Sequence, residues 1–506
     1  MIKRYFATKD NTLTNAYEPD LVTRGTGSNM GQSDILEVFT IYGQTSSSAD
    51  GLSREKANIL LQFDTSQIAS DKTTGAISSG SAFYLKLYNC KHPQTLPRDF
   101  TLEVLNITEN WQEGLGLDMN NYSDLTYDVR GSNWIMRSGS QTWGTGGGLK
   151  PGGASGSIIY SADFPVGDEN LEVDITSLVN RWVDGEETNN GVVIRLSSSL
   201  ADQNRSYYTK MFFGRNSHNW FERPVIEARW DSSKLDDRGS FYLSSSLVSA
   251  QDNLNTIYLY NYQRGRLANI PSIGGALDRE ILVSLYAQTG AGEDPVQLVA
   301  DGTYVRSANR YVVTGGWVSK GIYSASFAYT GTPTIETIHD VWFSGSNTVA
   351  NASTATKQFT TGSISIKRAA ALQYSYTPKY VFAVSNRNQN YYCNQVHRIR
   401  LYAREKNWSP NIYTTATSVP NSLVFESCSY QVYRSSDRKV VIPYNTGSTQ
   451  ATRLSYDVSG NYFDLDCSLL EPNYQYGINF SVYDPDTLTY EEQPFTYNLR
   501  VVKNES

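Results

Sequence analysis

The chain is poor in the residues that usually carry chemistry. Among 506 residues there are only four histidines and four cysteines. His92, His218, His339 and His397 lie far apart, and none is two or four residues from another. That spacing signals neither a zinc site nor a histidine-assisted nucleophile. Cys90, Cys393, Cys428 and Cys467 form no CxxC pair, so buried free thiols are expected. A bridge from Cys428 to Cys467 is the alternative. Charged residues make up only 18% and the net charge is −7, without the basic footprint of a phosphate-backbone binder. No apolar run approaches the ~18–20 residues of a membrane span. The opening MIKRYFATKD has charge but no apolar segment, so no secretory leader is expected. Neither G-x-S-x-G, HExxH nor a phosphate loop occurs; the glycine-rich stretch 144–156 lacks the GK[ST] ending and reads as a flexible loop.

What is abundant is tyrosine, with 36 copies against 18 Phe and 5 Met. Tyr, Thr and Val suit a pleated, half-buried surface, so an all-β protein is expected. The length calls for several domains, since single cores stop growing near ~250–300 residues.

The strongest local pattern runs from Leu171 to Trp230. Ile175, Leu178, Val179, Trp182 and Val183 share one helical face. Asp174 stands where an N-cap belongs, and Gly185 follows as a left-handed terminator. A helix this short needs a β-core to lid. Val192, Ile194 and Leu196 alternate with Val193 and Arg195 as a half-buried strand. Val225–Trp230 follows Pro224, which belongs at a strand start or edge.

These features resemble the C-terminal half of a DNRLRE-type β-sandwich, a jelly-roll-like module of surface proteins. The resemblance rests on the Asp174–Trp182 helix, Asn190-Gly191 and Arg223-Pro224. The N-terminal half fits through Asp10–Tyr17 as opening strand, the Asn29-Met30-Gly31 turn, Leu36-Glu37-Val38, ILLQFD at Ile59–Asp64 and WQEGLG at Trp111–Gly116. It covers roughly residues 5–232. The glycine-serine segment 138–157 departs from it and reads as an inserted loop. A few leading residues are expected as part of the strand or as an arm on a neighbour, and Ala57–Asp64 with Ala82–Tyr88 as paired strands.

Residues 232–243 read as a charged linker, after which strand patterns restart. Ile257–Tyr262, Ile281–Ala287, Gly321–Tyr329, Val341–Phe343 and Ile364–Lys367 suggest a second sandwich of immunoglobulin-like size. Tyr380–Val384, His397–Arg404, Tyr430–Tyr433 and Tyr474–Tyr483 suggest a third. LLEPNYQYG resembles the tyrosine corner of fibronectin type III sandwiches, with Tyr474 as the corner residue. The expectation is three tandem β-sandwiches: a jelly-roll-like module over 1–232 with a short helix near 175–184, then immunoglobulin-like domains over 240–370 and 375–506.

Two candidate sites lie in the first domain. Trp111, Trp134, Trp143 and Trp220 are candidates for a sugar-stacking platform, or for plugs at the sandwich end. Glu113, Asp118 and Asp124, with Glu109, gather acids around Trp111. Oxygen donors of this kind suit calcium, the one cofactor considered. Paired acids could also serve glycosidic cleavage at ~5–9 Å separation, but nothing demands it and no enzyme is expected.

The opening MIKRYFATKDNTLTNAY, the DNRLRE-like module and the C-terminal corner together resemble virion structural proteins of marine contractile-tailed bacteriophages. That resemblance implies a neck, collar, baseplate or capsid-exterior subunit, made in the host bacterial cytoplasm and carried in the virion. Its partners would be other virion proteins and copies of itself, with no nucleic acid and no membrane. The competing expectation is a glycan-binding adhesin or receptor-binding tail protein that uses the tryptophan loops on host surface glycan.

Overall fold

The computed structural model describes residues 1–42, 54–91, 96–117, 131–144, 159–201, 206–246, 248–249, 251–273, 281–288, 311–329, 335–344, 357–367, 379–408, 422–485 and 487–503. The chain is mostly β, 49% strand against 8% helix, as the tyrosine-rich composition predicts. It divides into two compact units, Met1–Asp231 with Gly447–Ala451, and Ser232–Thr446 with Thr452–Ser506.

The first unit contains β1 (Ile2–Thr14), β2 (Ile35–Tyr42), β3 (Arg54–Phe63), β4 (Ala82–Leu87), β5 (Phe100–Asn106), β6 (Met136–Ser138), β7 (Gln141–Thr142), β8 (Ile159–Phe164), β9 (Leu171–Asp174), β10 (Val192–Leu196), β11 (Tyr207–Phe213) and β12 (Val225–Arg229). One path of strands, β8-β5-β10-β3-β1-β12-β4-β9, surrounds the core, with β2 on β3 and β11 on β2. β1 serves both halves of that path. Ile2–Phe6 pairs with β12, Ala7–Thr14 pairs with β3, and the register shifts between Ala7 and Lys9. An extra residue in one strand bends it, which lets β1 turn between the two. The leading residues are therefore strand, not an arm.

Among the described residues, two helices of eight or more residues pack on the core. α1 (Ser66–Thr74) sits between β3 and β4, with Ile68 buried and Gly75 left-handed at φ 72°. The sequence pattern did not show it, and it explains why β3 and β4 are not neighbours: β4 pairs with β12 and β9 instead. α2 (Thr176–Val183) is the expected lid, with Leu178, Val179 and Trp182 buried. Its N-cap is Ile175; Asp174, one residue earlier, accepts from the Thr176 backbone N–H at 2.9 Å. Gly185 is left-handed at φ 75°. β12 starts after Pro224 but is a central strand, flanked by β1 and β4. β10 is covered on both faces: Val192 and Ile194 face the main core, while Val193 joins a second apolar cluster with Trp111.

The second unit holds two pairs of facing sheets. Within 241–367, Phe241–Tyr242, Lys357–Lys367, Thr337–Ser344, Ile281–Tyr286 and Val313–Thr314 form one sheet; Asn255–Tyr260, Ile322–Phe327 and Gly316–Ser319 form the other. Ile257, Val283, Tyr323, Phe327, Trp342 and Ile364 fill the space between. Within 380–502, Tyr380–Val384, Val396–Glu405, Gly460–Asp466 and Ser455–Asp457 face a sheet of Tyr391–Tyr392, Thr489–Val502, Gln475–Asp484, Cys428–Arg434 and Val440–Ile442. Phe382 and Phe480 stack across that core at 6.2 Å.

Two details differ from expectation, and the free thiols agree with it. The corner tyrosine is Tyr476, whose hydroxyl donates to the Glu471 carbonyl at 2.9 Å; Tyr474 is 38% exposed. Side chains alternate along a strand, so moving the corner by two residues keeps the same face. The charged stretch after Asp231 is built into the fold. Leu235 pairs in parallel with Tyr456, the edge strand's Tyr456 N–H donates to the Lys234 carbonyl at 3.1 Å, and Arg238 grips buried Asp340 through two hydrogen bonds. This segment covers a sheet edge that would otherwise be open to pairing. Cys428 and Cys467 are both buried and unbridged, and Cys90 and Cys393 are likewise free.

Candidate functional site

Three of the sequence-predicted residues, Trp111, Trp134 and Trp143, come together in the first unit. Trp111 and Trp143 are buried at 1% and 5% exposure, with Leu13, Leu60, Leu105, Ile107 and Val193; Trp134 packs against them partly buried. Each buried indole also donates inward: Trp111 Nε1 to the Asn190 carbonyl and Trp143 Nε1 to the Asn133 carbonyl, both at 2.9 Å. A ring packed on both faces has none to offer a sugar. Trp111 and Trp143 therefore plug the sandwich. Trp220 lies apart, half-buried against Phe6 at 5.1 Å. The four do not form one platform.

Beneath the plug lies a hydrogen-bonded cradle built from two motifs far apart in the chain. Asn29 Nδ2 donates to the carbonyls of Glu113 and Ser132, each at 2.8 Å. Its Oδ1 accepts from the backbone N–H groups of Gly31 and Gly116 at 3.2 and 2.8 Å. The Asn29-Met30-Gly31 and Trp111–Gly116 turns are thus two sides of one joint. A side chain on Gly116 would stand 1.9 Å from the Asn29 carbonyl, so close backbone approach requires glycine there. Asn11 extends the joint by donating to the Ser132 carbonyl at 2.8 Å and accepting from the Met30 N–H at 3.0 Å.

The acids are tied into the same joint. Glu113 Oε1 accepts from Arg215 Nη2 at 2.8 Å and from the Asp10 backbone N–H at 2.8 Å. Asp10 Oδ2 accepts from the Arg215 backbone N–H, while Asp10 Oδ1 is buried without a hydrogen-bond partner. Burial, reinforced by the Glu113 charge, pushes the Asp10 carboxyl up to about 7. The guanidinium occupies the position a cation would need at Glu113 Oε1. Asp118 and Asp124 lie outside the described residues. Among the described residues no group of three or more His, Cys, Asp or Glu is placed to hold a metal ion.

A second charged feature lies across the sheet of the first unit. Arg4, Glu227, Arg229, Glu172 and Lys86 alternate in sign across β1, β12, β9 and β4. Glu227 is fully buried between Arg4 at 2.8 Å and Arg229 at 2.6 Å, and despite burial those cations hold its carboxyl far below the usual range. The signal is present in VIEAR, where Glu227 and Arg229 stand two residues apart on one strand.

The second unit has a polar cleft of about 490 Å³ lined by Ser240, Lys367, Arg404, Glu405, Trp408 and Asp457. Trp408 is 44% exposed. Arg400 holds Asp457 through two hydrogen bonds of 2.9 and 2.8 Å. This combination of an open indole with charged and hydroxyl groups is the kind of surface first sought at Trp111.

No family model matches the chain, nor does any curated protein. Among solved structures, a marsupial T cell receptor is 9% identical, with a TM-score of 0.15, over 54% of this chain and 71% of that one. Escherichia coli alpha-2-macroglobulin in its native conformation is 8% identical, with a TM-score of 0.14, over 93% of this chain and 20% of that one. The trypsin-activated form of the E. coli protein is also 8% identical, with a TM-score of 0.14, over 88% of this chain and 24% of that one. The chain spans about a fifth to a quarter of the macroglobulin's length. Among the described residues no helix is long and apolar enough to cross a membrane.

Proposed function

We propose that this chain is a structural subunit of a tailed-bacteriophage virion, in the neck, collar, baseplate or capsid exterior, that acts by docking in a symmetric assembly. The observation that carries the reading is the display of tyrosine at strand rims: Tyr207 is 61% exposed, Tyr262 60% and Tyr242 49%. Tyr supplies large contact area at low entropy cost, which suits protein contact surfaces. The strand Thr489–Val502 adds a long edge. It pairs with Gln475–Asp484 along its length, and on its other side only Val501 and Val502 have a strand partner among the described residues. The order of the DNRLRE-like and corner motifs supports the same reading, with a jelly-roll-like first module and two immunoglobulin-like ones. Its partners are then copies of itself and other virion proteins, its place is the virion after synthesis in the host cytoplasm, and it catalyses no reaction.

Cryo-electron microscopy of the intact particle tests this. The chain fitting a ring or vertex density, with the exposed tyrosines in contacts, is the expected result. Absence from the particle overturns it.

A second reading is favoured by the Trp408 cleft: binding of host surface glycan, there and not at Trp111. Titrating purified host lipopolysaccharide against the chain should quench Trp408 fluorescence in the wild type and not in Trp408→Ala. Equal quenching in both sinks this reading.

A further inference from the structure

We propose that Lys210 and Asn89 join through an intramolecular amide, a self-modification site that staples β11 to the segment following β4. Lys210 has no exposed surface at all, a rare state for a lysine. Its Nζ lies 2.6 Å from Asn89 Oδ1 and 2.7 Å from the Gly167 carbonyl. The rings of Phe164 and Phe212 enclose it at 5.1 and 5.4 Å. The amine is thus held in a dry aromatic box against a side-chain amide.

Both partners are held by the backbone around them. Asn89 forms an antiparallel bridge with Phe212. On either side, the Cys90 N–H donates to the Met211 carbonyl and the Phe213 N–H to the Tyr88 carbonyl, both at 3.0 Å. The Asn89 N–H donates to Asn170 Oδ1 at 2.8 Å. Holding reacting groups in contact replaces an encounter in solution with a local step. Burial also lowers the lysine pKa to about 8, with Glu169 and Asp168 opposing, so a useful fraction of the amine is neutral near pH 7.

In the step, the neutral ε-amine places its lone pair on Asn89 Cγ. The carbonyl π pair moves to oxygen and gives a tetrahedral intermediate. A proton passes from the attacking nitrogen to the side-chain amide nitrogen, the C–N bond to that nitrogen breaks, and ammonia leaves as the carbonyl reforms. Amine and primary amide become secondary amide and ammonia, with no oxidant or co-reactant. Glu169 orders the turn beside them: it accepts from the Val166 and Gly167 N–H groups at 2.7 Å each, and the Gly167 carbonyl of that turn binds Lys210. The bland alternative is an ammonium that only satisfies two oxygens. It leaves the covalent structure unchanged, and the staple does not depend on which assembly the chain serves.

Intact-mass measurement of the purified full chain decides between them. The expected result is a mass lower than the sequence by one ammonia, with a branched proteolytic peptide joining the Asn89 and Lys210 segments. Lys210→Arg and Asn89→Ala should each restore the full mass. The full sequence mass in the wild type, with Asn89 and Lys210 recovered in separate linear peptides, overturns the proposal. So does an ammonia loss that maps to another asparagine, such as Asn190 before Gly191.

Discussion

Trp111 and Trp408 begin from the same local sequence and end in opposite environments. Each follows an asparagine and precedes a polar residue, in Asn110-Trp111-Gln112 and Asn407-Trp408-Ser409. Trp111 is 1% exposed and Trp408 44% exposed. Neither immediate neighbours nor residue type separates them. What separates them is what stands opposite: β1, β3, β5 and β10 supply Leu13, Leu60, Leu105 and Val193 to Trp111, and Asn190 supplies an acceptor for its N–H. Trp408 follows the end of Val396–Glu405 and lines an open cleft. Whether a tryptophan plugs or displays is therefore decided by residues far away in the chain.

The contrast can be broken most sharply at the plug. Trp111→Ala should cost about 3–5 kcal/mol in urea unfolding, because it empties a packed site and strands the Asn190 carbonyl. A loss below 1 kcal/mol would show that the plug does not hold the sandwich end. Glu227→Gln tests whether buried polar groups are equally costly to disturb. It removes the buried anion between Arg4 and Arg229, although Arg229 keeps Glu172, and about 3–5 kcal/mol of destabilisation is expected, read as a drop in unfolding midpoint.

Asp10→Asn sharpens the comparison through pH. The unfolded carboxyl titrates near ~3.9, whereas the folded one holds its proton up to about 7. Between those values the folded state binds more protons than the unfolded state, so Asp10 makes stability fall as pH rises through that window. Asp10→Asn should flatten the stability curve there. A curve parallel to wild type would remove Asp10 from the account. Burial raises Glu37 to about 7 and Asp236 to about 6 as well, so slope that persists is assigned to these other buried carboxyls.

Smaller effects belong to the corner and to the exposed rings. Tyr476→Phe should cost about 1 kcal/mol by removing the corner hydrogen bond. Tyr474→Phe should cost almost nothing, since its ring lies under Arg434 at 5.0 Å with no corner bond to lose. Equal losses would return the corner to Tyr474. Trp408→Ala should change stability by no more than ~0.5 kcal/mol.

Much of the fold was legible. The alternation in Tyr323, Ala325, Phe327 and Tyr329 marks a face that is buried throughout. The Ile175–Trp182 periodicity marks a helix whose apolar side lids the core. Helix α1 was not legible, because SQIASDKTT carries one buried apolar residue, Ile68, and no apolar stripe. The built-in Lys234–Arg238 segment was hidden by its charges, which read as solvated until Asp340 and the edge strand of Tyr456 are placed beside them. The grouping of Trp111, Trp134 and Trp143 was legible but not its burial, and Glu113 is engaged by Arg215.

The sequence by itself determined the β class, the strand faces and the short lid helix, because these follow from periodicity and propensity over a few residues. Only the tertiary structure decided that Trp111 is closed and Trp408 open, that Asn29 and Gly116 make one joint, and that Lys210 meets Asn89. Those outcomes depend on partners 87 and 121 residues apart in the two joined pairs, which no local pattern encodes. Burial is a property of what packs opposite, and the chain specifies that only once the sheets have closed.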